Sequence, residues 1–287
     1  MVTILDGKAL SKKINDETKE KISASTDEYG RSPGLATVLV GEDPASKLYV
    51  GMKIKTCKRL GIYSLNIPLD PDISKSDLIK KLHELNANDK VDGILLQLPL
   101  PGDLKEHTNE ILQEISPDKD VDGFLPRSIG LTTMGDETYG ACTPKGMIRL
   151  LERYDVPIEG KEVVIVNRTT VIGKPLAMMF LKRHGTVTVC HSRTRDLDFH
   201  LKRADIVAVG VGRVNFLTSD RIKEGAVVLD AGINRDENDK LCGDADFDGI
   251  KDKCSAITPV PGGIGPMTIA MLMENTYLSF VKRQSTI

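Results

Sequence analysis

Short, mostly unbroken apolar runs, each followed by a helical pattern, recur along the whole 287-residue chain. No other feature constrains its fold as much. Leu35–Val40, Tyr63–Ile67 and Val91–Leu98 read as strands in the first half. Glu162–Val166, Thr186–Cys190, Asp205–Val209, Ala226–Asp230 and Ser255–Ile257 read as strands in the second. Their apolar residues run on where a half-exposed strand would alternate. Both faces of the sheet must then be covered, which is the condition of a parallel sheet. The intervening segments supply that cover. Leu10, Ile14, Thr18 and Ile22 recur every four residues behind Asp6, a helix N-cap residue. Further helices are expected at Pro44–Leu60, Ser74–Asn86 and Leu104–Glu114, from near Lys174, Asp196 and Thr218, and over Pro266–Val281. The Gly-, Asp- and Pro-rich stretch Ser116–Thr143 reads as irregular.

This alternation predicts an α/β chain of two doubly wound α/β domains with a cleft between them, the C-terminal one Rossmann-like. The expected division is 1–138 and 139–266, with a last helix over 267–287 packing back on the first domain. Such a cleft is the default place for an active site. Composition narrows the function. Lys+Arg 39 against Asp+Glu 41 leaves a net charge of −2, which argues against nucleic-acid binding by broad phosphate neutralisation. The longest apolar stretches, Ile206–Gly212 and Met267–Met273, fall far short of the roughly 20 residues a membrane span needs. The N-terminus carries no secretory pattern. The five cysteines include no CxxC, so free thiols in a cytoplasmic protein and no metal site are expected.

Val163–Val166 leads into Asn167-Arg168-Thr169-Thr170-Val171-Ile172-Gly173, the strand–loop–helix position of a dinucleotide fingerprint. It is not GxGxxG. Asn167 stands at the first glycine position, where its tolerance of left-handed backbone is expected to serve. Gly173 allows close approach at the helix start, and the loop N–H groups are expected to face a phosphate. Taken alone, the segment also fits an ordinary βα turn. The end of the next strand adds to it. An NAD site places a carboxylate there for the ribose hydroxyls. Here the chain reads His191-Ser192-Arg193-Thr194-Arg195, with no carboxylate before Asp196. With Arg168, these residues suit a 2′-phosphate, which guanidinium groups bind in a bidentate way. The expected cofactor is NADP.

In the first half, Ser46, Tyr49 and Lys53 share a face of the second expected helix. A partly desolvated lysine beside a tyrosine can move protons, although the spacing alone also fits a solvated surface. A similar Tyr–Lys pair in short-chain dehydrogenases follows the nucleotide loop, whereas here it precedes it. Gln97 ends a buried strand, where a primary amide needs a partner and where open α/β sheets bind ligands. Asp118, Asp120 and Asp122 place carboxylates on one loop, which by itself also reads as a solvated turn. Pro259-Val260-Pro261-Gly262-Gly263-Ile264-Gly265-Pro266 is a rigid loop that permits close backbone approach to a flat ligand. These residues alone also admit an NADP reductase of simple ketones, or a non-enzymatic Rossmann-type sensor or carrier.

Taken together, Ser46…Tyr49…Lys53, Gly93-Ile-Leu-Leu-Gln97-Leu-Pro-Leu-Pro101, Pro117-Asp-Lys-Asp-Val-Asp122-Gly123, Cys142-Thr-Pro-Lys-Gly146, Gly232-Ile233-Asn234 and Pro259–Thr268 resemble the bifunctional methylenetetrahydrofolate dehydrogenase/methenyltetrahydrofolate cyclohydrolase family. The resemblance covers nearly the whole chain in order. It implies oxidation of 5,10-methylenetetrahydrofolate to 5,10-methenyltetrahydrofolate with NADP⁺, then hydrolysis to 10-formyltetrahydrofolate at the same site. It assigns Lys53 as the catalytic lysine, Gln97 as the amide that tunes it, Tyr49 as the ring that stacks on folate and Asp122 as the pterin anchor. Ser46, Leu98, Pro99, Pro261, Gly262 and Gly263 complete the substrate contacts. Asn167, Arg168, Thr169, Ile172, Gly173, Ser192, Arg193, Thr194, Gly232, Ile233 and Asn234 hold the cofactor. A homodimer through the nucleotide-binding domains is implied as well. The chain departs from the family pattern at Asn167, where many members have Gly, and at Thr169, where they have Ser. Ala141 replaces a common Pro.

Overall fold

Parallel pairing organises both larger sheets of the computed structural model, which describes residues 2–285. The first elements are β1 (Thr3–Ile4), α1 (Gly7–Tyr29), β2 (Gly34–Val40), α2 (Pro44–Leu60), β3 (Tyr63–Leu69), α3 (Lys75–Asn86) and β4 (Gly93–Leu96). Short helices α4 (Thr108–Leu112) and α5 (Pro126–Thr133) lead to α6 (Cys142–Arg153). There follow β5 (Glu162–Val166), α7 (Gly173–Lys182), β6 (Thr186–Cys190), α8 (Leu197–Arg203), β7 (Ile206–Val209) and β8 (Val227–Asp230). The chain ends with β9 (Asn234–Arg235), β10 (Leu241–Cys242), α9 (Phe247–Ile250), β11 (Ala256–Ile257) and α10 (Ile264–Gln284). It divides into two units, one of Met1–Lys12 with Thr132–Met271 and the other of Lys13–Leu131 with Leu272–Ile287. No helix among the described residues is long and apolar enough to cross a membrane.

The second unit holds a three-stranded parallel sheet of order β3-β2-β4. Ala36, Val38 and Val40 of β2 and Ile94 and Leu96 of β4 meet Leu78, Leu82 and Leu85 of α3 in one core. Each buried leucine contributes about 2 kcal/mol. Local signals set the helices. Asp43 caps α2 by accepting the Ser46 N–H at 2.8 Å, and Pro44 takes the first helical position. Gly61, at φ 79°, ends α2 in the left-handed conformation. The latter part of α10 packs within this unit. Asn275 Nδ2 donates to the Val121 carbonyl at 2.9 Å, and Arg283 to the Val91 carbonyl at 2.9 Å. Beneath it, Arg31 grips the buried Asp92 with two bonds of 2.7 and 2.8 Å.

The first unit holds a six-stranded parallel sheet of order β1-β11-β8-β7-β5-β6. Its core gathers Val164, Val166, Val207, Val209, Val228 and Ile257 against Leu201 of α8. Three expectations from the sequence need correction here, and one strand goes unread. β1 joins this sheet by pairing with β11, a partner too distant in sequence for any local pattern to reveal. The expected Leu104–Glu114 helix breaks into a 3₁₀ turn and α4, and at the break the Thr108 hydroxyl bonds the Lys105 carbonyl at 2.8 Å. The irregular stretch contains α5, and its end at Thr143 falls in the first turn of α6. The helix expected near Thr218 is only a 3₁₀ turn over Ser219–Arg221, after which Ile222 is extended; Arg221 bonds Asp198 at 2.7 Å and the Phe216 carbonyl at 2.5 Å.

Lys119 shows how the second unit fixes its loops. Its buried ammonium donates to the carbonyls of Leu85, Asn86 and Asn88 at 2.9, 2.7 and 2.9 Å. Those carbonyls lie at or just past the end of α3, where the helix ladder runs out; the Leu85 and Asn88 carbonyls also accept the N–H groups of Asn88 and Val91 at 3.2 and 3.1 Å. Lys119→Met keeps the stem, takes the Asn86 carbonyl's donor away and leaves the Leu85 and Asn88 carbonyls with backbone donors only. Urea unfolding should place the variant roughly 2–3 kcal/mol below wild type. An unchanged midpoint would show that the carbonyls need no ammonium.

Candidate functional site

In the three-stranded sheet the chain order reverses beside β2, so the segments following β2 and β4 diverge. Such a switch point at the C-terminal strand edge is where α/β sheets bind ligands. The face of α2 that is buried carries Ser46, Val50, Lys53, Cys57 and Leu60. Lys53 therefore stands in an apolar stripe, only 9% exposed. Its ammonium donates to Gln97 Oε1 at 3.0 Å. Gln97 is held in turn. Its backbone N–H continues the ladder to the Val38 carbonyl at 2.9 Å, and its amide nitrogen, Nε2, donates to the Leu98 carbonyl at 2.7 Å. An ammonium only donates, so the amide oxygen must face it. Tyr49 is half-buried on the same helix, and burial pushes its hydroxyl pKa up, so it stays a neutral phenol. One turn beyond Lys53, burial pushes the Cys57 thiol up to about 12, which leaves it inert.

Asp122 lies on the loop after Lys119, half-buried. The loop is pinned on both sides of it. The carboxylate of Asp120 accepts the N–H groups of Gly123, Phe124 and Leu125 at 3.0, 3.1 and 2.9 Å, and the Ser128 hydroxyl at 2.6 Å. Burial raises the Asp120 pKa, and those four donors pull against the rise. Asp120 also bridges Ile94 in parallel, so Asp122 and Gln97 both lead toward the C-terminal end of β4. A Cβ on Gly93 would meet Val121 at 2.6 Å, which explains the glycine there. Asp120 is thus a loop organiser, not a solvated turn residue. Leu98 is half-buried and Pro99 exposed, joined by a cis bond.

Pro261, Gly262 and Gly263 belong to the other unit, in the loop between β11 and α10. Pro261 is exposed. The close approach that the glycines permit is to the start of α1: the Gly262 carbonyl accepts the Lys8 N–H at 2.8 Å, and a side chain on Gly7 would collide with the Gly263 carbonyl.

The six-stranded sheet has its own switch point, between β5 and β7. Asn167 follows β5 and Gly210 follows β7, and Asn167 Nδ2 donates to the Gly210 carbonyl at 2.6 Å. A Cβ on Gly173 would strike the Asn167 carbonyl, so α7 starts hard against the strand end. One expectation needs correction: Asn167 is not in the left-handed region, and its side chain, not its backbone, shapes the loop. The N–H groups of Thr169, Ile172, Gly173 and Lys174 each have an acceptor inside the loop. Arg168, Ser192 and Arg193 are exposed, and neither arginine has an ion-pair partner among the described residues. Thr194 closes the turn after β6, its hydroxyl accepting the His191 N–H at 2.8 Å. Asp196 is consumed as the N-cap of α8, accepting the Phe199 N–H at 3.2 Å. The donors present thus fit a 2′-phosphate, and the nearest carboxylate is turned to the helix.

Two residues went unread in the sequence. Asp244, 0% exposed, accepts the N–H groups of Val211, Gly212 and Arg213 and the Asn234 amide at 2.9 Å. Asp230, at the end of β8, accepts those of Gly232, Asp244 and Ala245 at 2.8, 3.0 and 2.8 Å. Burial pushes Asp230 up to about 6 against those bonds, with the Asp244 charge adding to the rise. This acid pair fixes Gly232 and Asn234, while Ile233 is half exposed between them. The signal in the sequence was a carboxylate set directly at the end of an apolar strand, where only buried donors could satisfy it.

Comparison with known proteins places this geometry. The tetrahydrofolate dehydrogenase/cyclohydrolase catalytic domain matches residues 5–122, and the NAD(P)-binding domain of the same family matches residues 141–284. The bifunctional protein FolD of Lachnoclostridium phytofermentans is 50% identical over 275 residues, 96% of each chain. The crystal structure of the bifunctional FolD methylenetetrahydrofolate dehydrogenase/cyclohydrolase from Campylobacter jejuni superposes with a TM-score of 0.94 at 46% identity, covering 99% of this chain and 100% of that one. That of the Trypanosoma brucei enzyme, complexed with NADP cofactor and inhibitor, gives a TM-score of 0.94 at 32% identity over 100% and 99% of the two chains. The chain belongs to the tetrahydrofolate dehydrogenase/cyclohydrolase family.

Proposed function

We propose that this protein oxidises 5,10-methylenetetrahydrofolate with NADP⁺ and hydrolyses the resulting 5,10-methenyltetrahydrofolate to 10-formyltetrahydrofolate. The observation that carries the reading is Lys53: an ammonium in the buried stripe of α2, bonded to Gln97 Oε1 at the end of β4. A lysine in that position costs desolvation and needs a purpose. Bound NADP⁺ supplies the hydride acceptor. The remaining work falls to side chains of this chain. In hydrolysis, water adds to the cationic methenyl carbon, the added oxygen gives up both its protons to become the formyl oxygen, and the bond to N5 breaks as that nitrogen takes up one proton, so that one proton is released overall. Lys53 is the group that holds and moves these protons, and Gln97 fixes its ammonium for the task. Tyr49, a neutral ring on the same helix, stacks on the folate. Asp122 accepts from the pterin amino and ring N–H groups, on a loop that Lys119 and Asp120 keep still. Ser46, Leu98, Pro99, Pro261, Gly262 and Gly263 complete the substrate contacts.

Arg168, Ser192 and Arg193 take the 2′-phosphate in this reading. Asn167, Thr169, Ile172, Gly173 and Thr194 line the rest of the nucleotide, with Gly232, Ile233 and Asn234. The protein is a cytoplasmic homodimer joined through its nucleotide-binding part. Supporting this, its five cysteines form no disulfide among the described residues, and β6, the edge strand, exposes Val189, with Phe199 exposed on α8.

Lys53→Met should abolish hydrolysis of methenyltetrahydrofolate while NADP⁺ still binds, read by substrate absorbance and by calorimetry. Hydrolysis at the wild-type rate would remove Lys53 from the mechanism. Arg168→Ala should cut the preference for NADP⁺ over NAD⁺ in kcat/KM by roughly tenfold or more, the worth of one charge-assisted phosphate bond. An unchanged ratio would mean that the 2′-phosphate is held elsewhere.

A further inference from the structure

Asn167 does something that glycine at its position cannot. Its Oδ1 accepts the Thr169 backbone N–H at 2.9 Å, the Thr169 hydroxyl at 2.8 Å and the Gly173 N–H at 3.1 Å. Thr169 extends the bracket. Its Oγ1 accepts the Ile172 N–H at 3.1 Å, and its carbonyl accepts the Lys174 N–H at 3.0 Å. Residue 175 is proline and has no N–H. The donors clustered at the start of α7 therefore converge on acceptors supplied by Asn167 and Thr169. Helix N-termini in dinucleotide sites offer such donors to the pyrophosphate. A side-chain amide oxygen that collects two backbone N–H groups and a hydroxyl there imitates a phosphate oxygen.

We infer that the Asn167 side chain is an internal competitor for the dinucleotide's pyrophosphate, so that it sets the affinity for the cofactor without setting the choice between NADP and NAD. The inference rests on the NADP reading above. Binding must withdraw the Thr169 and Gly173 N–H groups from Oδ1. The pyrophosphate is common to both dinucleotides, so the handicap is common to both. The 2′-phosphate is assigned to other groups, Arg168, Ser192 and Arg193. Because Asn167 is not in the left-handed region, alanine fits its backbone without strain, and Asn167→Ala removes the carboxamide alone, both the Oδ1 acceptor and the Nδ2 bond to the Gly210 carbonyl.

The test is titration calorimetry of the full-length protein with NADP⁺, NAD⁺ and adenosine 2′-monophosphate, which carries the 2′-phosphate but no pyrophosphate. Asn167→Ala should bind both dinucleotides roughly three- to tenfold more tightly, the release of about one competing hydrogen bond, and adenosine 2′-monophosphate as wild type does. Asn167→Asp keeps the acceptor and adds a negative charge, so it should weaken both dinucleotides and leave their ratio alone. It carries the test by itself if the alanine variant does not fold, which the thermal unfolding midpoint reports. Unchanged or weaker NADP⁺ binding by Asn167→Ala overturns the inference, as does a shifted NADP⁺/NAD⁺ ratio in either variant. Failure of the wild type to bind either dinucleotide overturns the NADP reading itself, and the inference with it.

Discussion

A parallel strand cannot hand the chain straight to its neighbour. Each one needs a crossover, and the loops that can carry chemistry leave from the C-terminal strand edge. Both larger sheets obey this constraint, and both place a strand-order reversal there, beside β2 in one and beside β5 in the other. At each reversal one side chain ties the diverging segments together. Lys53, beyond β2, bonds Gln97, beyond β4. Asn167, beyond β5, bonds Gly210, beyond β7. The first tie places an ammonium where a proton can be moved. The second shapes the loop proposed to take the cofactor's phosphates.

Loops so placed need anchors, and the chain uses buried charge for them. Asp120, Asp230 and Asp244 spend their carboxylates on backbone N–H groups, and Lys119 spends its ammonium on backbone carbonyls. Burying these groups costs desolvation, which is why burial raises Asp120 and lifts Asp230 to about 6. The return is rigidity. Gly232 and Asn234 are fixed by two acids that no ligand needs to touch. The loop carrying Asp122 is fixed by Lys119 and Asp120 on one side and by Asn275 at the Val121 carbonyl on the other.

Much of this was legible in the sequence because its causes are local. Apolar runs and helical periodicity marked most strands and helices, and Asp6 marked the start of α1, where it accepts the Ala9 N–H at 2.9 Å. Lys53 was visible as a lysine on a helix beside Tyr49, and the structure adds that it occupies the stripe of Val50, Cys57 and Leu60. Gln97 was visible as an amide closing an apolar strand. What stayed hidden depends on partners far along the chain. β1 is two residues long and pairs with β11. α5 is short and is steadied by Asp120. Asp244 bonds segments about 30 residues away, so nothing beside it in sequence betrays its burial. Asn167 was read as a site residue for its backbone, whereas its side chain is what acts.

The central claim is that one chain performs two successive reactions on folate. The direct measurement is to incubate the purified protein with 5,10-methylenetetrahydrofolate and NADP⁺, or NAD⁺, following reduced cofactor by absorbance and folates by mass spectrometry. The account predicts NADPH together with 10-formyltetrahydrofolate, both above the uncatalysed rate, and slower turnover with NAD⁺. No reduced cofactor with either dinucleotide would contradict it, and so would NADPH accompanied only by accumulating 5,10-methenyltetrahydrofolate.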